Sequence, residues 1–202
     1  YNFIEDYEIS FMIVFIVLVT LLILYIVYEN HTRNKELLKY AQTDALTGLY
    51  NKETTEQLTD ELLSEDENKY HAFLILYVDC FKQINDIYGH AVGDIVLQKF
   101  GKLLKGTFRE GDILGRIGGD EFGVIMKNIQ TKDIAMKKAE ELLAKTQAYK
   151  IDELKGNNIS ISIGISTAPQ DGDCYMDLYK RADQALYQAK RSGKARVCNY
   201  FS

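Results

Sequence analysis

Two stretches of the chain have the residue types and spacing for nucleotide chemistry. The first, YVDCFKQINDIYGHAVGD at residues 77–94, closes an apolar run on Asp79. It then supplies Lys82, an Asn85–Asp86 pair, His90 and a Gly93–Asp94 turn. The second, GRIGGDEFGV at residues 115–124, sets Asp120 and Glu121 behind two glycines, between short apolar runs. A glycine pair there reads as a hairpin turn that admits positive φ and close approach of backbone to a ligand. With the first strand and the hairpin side by side, Asp79 is expected to meet Asp120 and Glu121 at one edge of a sheet. Clustered carboxylates repel one another unless a cation neutralises them. Mg²⁺ with a nucleoside triphosphate meets that need, because it takes a few carboxylates and keeps positions for phosphate oxygens. Asn85 and Asp94 can donate and accept at a guanine edge, and Lys82 and Lys190 carry charge for phosphates.

These residues need a scaffold, and hydrophobic periodicity supplies one. Helices are expected over residues 51–64, 81–88, 93–108, 132–148 and 177–192. Strands are expected over 72–78, 113–117, 122–126 and 196–200, with the alternating Ile/Ser run 159–167 as a half-buried strand. That order implies an α+β architecture, a single mixed or antiparallel sheet with helices on one face.

Upstream lies a different kind of sequence. Residues 9–28 contain no charge, and at about 1.5 Å per residue they reach about 30 Å, the thickness of a bilayer core. Glu5, Asp6 and Glu8 precede the run, while His31, Arg33, Lys35 and Lys39 follow it. The basic excess assigns the C-terminal side to the cytoplasm, and Tyr25 and Tyr28 suit the interface. Residues 29–42 are expected to carry the helix onward as a linker, with Leu37, Leu38 and Ala41 as a dimer stripe or a plain tether. Residues 1–8 are then an extracytoplasmic remnant, and a chain that opens on Tyr1 is expected to be a fragment. The 202 residues carry a net charge of −5, which gives no support for a nucleic-acid surface. Cys80, Cys174 and Cys198 follow no metal or disulfide spacing, so a reducing compartment is expected.

Residues 43–199 resemble a GGDEF domain, the diguanylate cyclase family. The resemblance is carried by an ordered set of motifs: Asp44-Ala-Leu-Thr-Gly-Leu with Asn51, Phe81-Lys82 with Ile84-Asn85-Asp86, and Tyr88-Gly89-His90 with Gly93-Asp94. Further along come Arg116 with Gly118-Gly119-Asp120-Glu121-Phe122, then Ser162-Ile163-Gly164, Ala182-Asp183, Ala185-Leu186-Tyr187 and Ala189-Lys190. It implies a palm-like, ferredoxin-like fold similar to class III nucleotide cyclases, an α/β sandwich, over 43–202. It implies condensation of two GTP into cyclic di-GMP and pyrophosphate in a homodimer with Mg²⁺ or Mn²⁺. Asp120 and Glu121 are then catalytic. Metal is held by these two, the Val78 carbonyl and Asp79. Asn85 and Asp94 read guanine with His90 beside them, and Lys82, Lys190 and Lys194 contact phosphates. Arg109 and Asp112, in REGD, match an inhibitory product site. Asp183 and Tyr187 read as structural helix residues, and Asp44 and Asn51 as organisers of the entry loop.

One position departs from the pattern. The family's first metal aspartate lies eight residues before the asparagine, and here that residue is Tyr77. A phenol with pKa of about 10 is a poor Mg²⁺ ligand at neutral pH. The expected function is therefore a weakened cyclase anchored in the inner, cytoplasmic membrane. The alternatives are a degenerate domain that binds GTP or cyclic di-GMP as a regulatory module, and a scaffold that only dimerises.

Overall fold

The computed structural model describes residues 2–65 and 69–200, with the side chains of 2–10, 14 and 34–40 not described. The chain divides into two compact units, Tyr1–Ala41 and Gln42–Ser202.

The described residues of the first unit lie within a single helix, α1 (Asn2–Gln42). Its sequence holds neither glycine nor proline, so nothing breaks the ladder, and the expected span and linker form one element. The stretch Phe11–Arg33 is long and apolar enough to cross a membrane. Its threonine hydroxyls are satisfied inside the helix: Thr20 Oγ1 donates to the Ile16 carbonyl at 2.8 Å and Thr32 Oγ1 to the Tyr28 carbonyl at 3.0 Å. The side chains of Glu5, Asp6, Glu8, Lys35, Leu37, Leu38 and Lys39 lie outside the described residues.

Among the described residues the second unit is built on five strands and five α-helices. In order these are α2 (Lys52–Glu65), β1 (His71–Val78), α3 (Phe81–Tyr88), α4 (His90–Thr107), β2 (Ile113–Arg116), β3 (Glu121–Met126), α5 (Lys132–Ala148), β4 (Ile161–Ala168), α6 (Tyr175–Arg191) and β5 (Val197–Asn199). The sheet order is β2-β3-β1-β4-β5, antiparallel except for the parallel β4–β5 pair. The expected α+β sheet of mixed type is therefore present, and α4 begins three residues earlier than expected.

Two expectations need correction. Helices cover both faces of the sheet, not one. Ala72, Leu74, Leu76 and Val78 of β1 pack into a core with Leu97 and Phe100 of α4 and Leu142 of α5. Phe73 and Ile75 of the same strand pack into a second core with Leu62 of α2 and Leu178, Ala182 and Leu186 of α6. A strand covered on both sides reads as a continuous apolar run, and HAFLILYV does. The other correction is β4, whose Ile/Ser alternation suggests a solvent face although every residue in it is buried. Its serines are buried because each hydroxyl has a partner: Ser166 Oγ donates to the Leu178 carbonyl at 2.8 Å and Ser162 Oγ to Asp79 Oδ1 at 2.8 Å.

Candidate functional site

The site forms at one end of the sheet, where central strand β1 stops beside the β2–β3 turn. Tyr77 sits directly opposite Glu121 in the β1–β3 ladder, and the Val78 amide donates to the Asp120 carbonyl at 3.1 Å. Side chains alternate across a strand, so Tyr77 and Glu121 share one face. The Val78 side chain points into the opposite core.

The turn is tied down from outside. Arg116 donates to the Gly119 carbonyl through Nε at 3.1 Å and Nη2 at 2.7 Å. Its Nη1 reaches both carboxylate oxygens of Asp44 at 3.2 Å. Asp44 also accepts from the Thr47 amide and hydroxyl at 2.9 and 2.7 Å. Asn51 Oδ1 accepts from the Thr54 amide at 2.9 Å, capping α2. The entry loop is thus braced against the acidic turn. Neither Gly118 nor Gly119 has positive φ, so the hairpin does not use the conformational freedom expected of them. A Cβ on Gly119 would meet no heavy atom within 4 Å, which leaves room there for a ligand.

All three acids lie within electrostatic reach of Tyr77 and Lys190, but their hydrogen bonds divide between two strands. In the strand order β3 and β4 flank β1 on opposite sides. Asp120 and Glu121 belong to the β3 side, whereas Asp79 is drawn to the β4 side. Its carboxylate accepts from Ser160 Oγ at 2.7 Å, Ser162 Oγ at 2.8 Å and the Ala195 amide at 3.2 Å. It is 5 % exposed. Three donors fix Asp79 as a buried anchor between β1, β4 and the loop before β5.

Tyr77 occupies the space between the acids. The Asp120 carboxylate, hydrogen-bonded to the phenol, is the main reason its pKa is pushed up to about 12; burial and the charges of Glu121 and Asp79 add to it. Lys190, in the last turn of α6, holds its ammonium 3.2 Å from the centroid of the Tyr77 ring. Burial lowers the Lys190 pKa against the opposing pull of Glu121 and Asp120. Glu121 Oε1 accepts from the Tyr179 hydroxyl at 2.9 Å. Burial, then this bond, pushes the Tyr179 pKa up to about 12. Tyr179 in turn stacks on Tyr175, with centroids 5.8 Å apart. The sequence reading missed Tyr179. Its signal was spacing: Tyr179, Ala182, Leu186 and Lys190 recur at helical intervals, so one face of α6 carries both polar tips to the site.

The residues expected on the guanine side lie on two adjoining helices. Asn85 of α3 has a buried Oδ1 without a hydrogen-bond partner. A Cβ on Gly93 would lie 3.1 Å from Asn85 Cγ and closer still to Oδ1. Glycine at 93 is therefore what seats the Asn85 carboxamide. Asp94 and His90 are exposed on α4, and Lys82 is exposed in the first turn of α3. Lys194 has φ of 62° and its ammonium lies 3.3 Å from Cys80 Sγ. Asp183 and Tyr187 are exposed on α6 and pack into neither core.

Arg109 and Asp112 meet at a distance from these groups. Asp112 is buried, and its Oδ1 accepts from Arg109 Nε and from the Lys127 amide, each at 3.1 Å. Arg109 also donates to the Lys127 carbonyl. A cleft of about 500 Å³ beside them is lined by Phe108, Met126, Ile129 and Lys138.

A divalent cation fits this site poorly. Asp120 is engaged by the Tyr77 phenol, Glu121 by the Tyr179 phenol, and Asp79 by three donors of its own. An ammonium already stands among them. Mg²⁺ requires near-octahedral oxygen ligation, and a neutral phenol does not replace the missing carboxylate.

Comparison with known proteins gives consistent matches. Residues 41–196 match the family model described as "Diguanylate cyclase, GGDEF domain". Diguanylate cyclase A of Treponema denticola is 36 % identical over 170 residues, which cover 81 % of this chain and 46 % of that protein. The chain spans about half the length of the curated relatives it matches. The GGDEF domain of TpbB (YfiN) from Pseudomonas aeruginosa superposes with a TM-score of 0.74 at 32 % identity, over 79 % of this chain and 94 % of that one. The GGDEF domain of DgcB from Caulobacter crescentus, solved in complex with c-di-GMP, gives 0.74 at 27 % identity, over 80 % and 94 %.

Proposed function

The chain belongs to the diguanylate cyclase GGDEF domain family, and on that premise we propose that it binds GTP but cyclises it only feebly, acting as a guanine-nucleotide-responsive module. The observation that carries this reading is the Tyr77–Asp120–Lys190 cluster, in which a phenol stands beside Asp120 and the Lys190 ammonium lies over its ring. The binding half is less altered. Asn85 is half-buried on α3, and its carboxamide carries the donor and the acceptor that a guanine edge requires. Asp94 and His90 stand nearby in sequence, and Lys82, Lys190 and Lys194 supply positive charge for phosphates. The reaction attached to the family, two GTP joined in a homodimer with Mg²⁺ or Mn²⁺, becomes the activity of a repaired site, with Asp120 and Glu121 as its catalytic acids and Val78 and Asp79 beside them.

Cyclic di-GMP is the second ligand of this reading, held by Arg109. Asp112 positions the guanidinium beside an apolar cleft, and a guanidinium can both stack on a base and pair with phosphate. Calorimetry tests both ligands on one sample. Asn85→Ala is expected to weaken GTP at least tenfold and leave cyclic di-GMP unchanged, and Arg109→Ala to do the reverse. Unchanged GTP affinity in Asn85→Ala removes the proposed guanine contact.

Residues 9–28 are proposed to anchor the chain in the cytoplasmic (inner) membrane, with the nucleotide-binding unit on the cytoplasmic side. Support comes from one helix of sufficient length and apolarity and from the basic residues after it. The chain is expected to sediment with membranes after alkaline carbonate washing. Release into the supernatant refutes the anchor.

A further inference from the structure

We infer that this site binds guanine nucleotide without a divalent cation, with the Lys190 ammonium serving as a built-in positive charge. The inference rests on the proposed nucleotide binding and concerns what neutralises the triphosphate there.

The argument starts from charge. Where the family pattern has an aspartate, Tyr77 is neutral, so the β1 end and the turn carry one negative charge fewer. Lys190 then brings a positive charge to within 3.2 Å of the centre of that same ring. A divalent cation entering here faces fewer anions and an ammonium that repels it.

The remaining carboxylates are also tempered toward a phosphate. Glu121 accepts from the Tyr179 phenol at 2.9 Å, and Asp120 lies close enough to the Tyr77 phenol to raise its pKa. Asp79 is held by Ser160, Ser162 and the Ala195 amide. Lysine suits the task as a compact, strongly hydrated point charge whose three donors can bridge aromatic face and phosphate oxygen.

Lys190 is not free to leave. It sits in the last turn of α6, which is seated on β4 with the Ala182 carbonyl and Leu186 amide against Gly164. The position of its backbone is set by packing about one to two helical turns away.

The test is calorimetric titration of the detergent-solubilised 202-residue chain with GTP, once with Mg²⁺ in excess and once with EDTA. Affinity in EDTA is expected to equal that in Mg²⁺ within about twofold. Lys190→Ala is expected to lose at least tenfold in EDTA, and Lys190→Arg, which keeps the charge, to lose little. Tyr77→Asp should become cation-dependent, binding at least tenfold tighter with Mg²⁺. Native binding more than tenfold tighter with Mg²⁺ than with EDTA overturns the inference while leaving the proposed nucleotide binding in place. An unchanged EDTA affinity in Lys190→Ala overturns it as well. Absence of GTP binding in both buffers overturns the inference and the proposed function together.

Discussion

Tyr77→Asp is expected to raise the rate of cyclic di-GMP formation from GTP and Mg²⁺ by about a thousandfold, equivalent to roughly 4 kcal/mol of transition-state stabilisation at about 1.36 kcal/mol per factor of ten. The substitution removes the phenol that donates to Asp120. It places a carboxylate opposite Glu121 in the β1–β3 ladder, where the two can share a cation with Asp120. It also removes the aromatic face under Lys190 and leaves that ammonium to a phosphate. The measurement is product formed per unit time by native and variant chains at matched concentration, high enough to favour a dimer. Equal rates would mean that Tyr77 is not the residue limiting turnover. Rapid turnover by both chains would restore the full cyclase reading.

Gly164→Ala is expected to destabilise the fold by about 3 kcal/mol, near the upper end of ordinary overpacking costs. A Cβ at 164 would lie 2.9 Å from Leu186 Cα and closer still to the Ala182 carbonyl oxygen and the Leu186 amide nitrogen. Those are backbone atoms of α6, so no side chain can rotate out of the way and the helix must lift off β4. Tyr179 and Lys190 would move with it, so GTP affinity should fall too. Gly119→Ala is the control. It meets nothing within 4 Å and should cost almost no stability. Urea unfolding of the three proteins decides the matter: equal midpoints for native and Gly164→Ala refute the close packing described for α6 on β4.

The two glycines show how legibility divides. Both stand in motifs that the sequence displays, yet only the packing distinguishes one filled by a neighbouring backbone from one open to a ligand. The Ile/Ser alternation of β4 misleads for a related reason. Period-two polarity marks a solvent face only when the hydroxyls have no internal partner, and here Asp79 and the Leu178 carbonyl supply partners. Helices on both sheet faces were foreshadowed in HAFLILYV, an apolar run too continuous for a strand with one wet side.

By itself the sequence determined the family, the α+β order of elements, the apolar helix and the departure at Tyr77. Each is a matter of local periodicity or of counting along the chain. The tertiary structure decided what Asp79 does, because only the order β3-β1-β4 shows which neighbour claims a residue at the end of the central strand. It also decided what surrounds Tyr77, since Asp120 and Lys190 lie far from it in sequence. They reach it through a strand register and a helix seated on a glycine, long-range contacts that no spacing along the chain encodes.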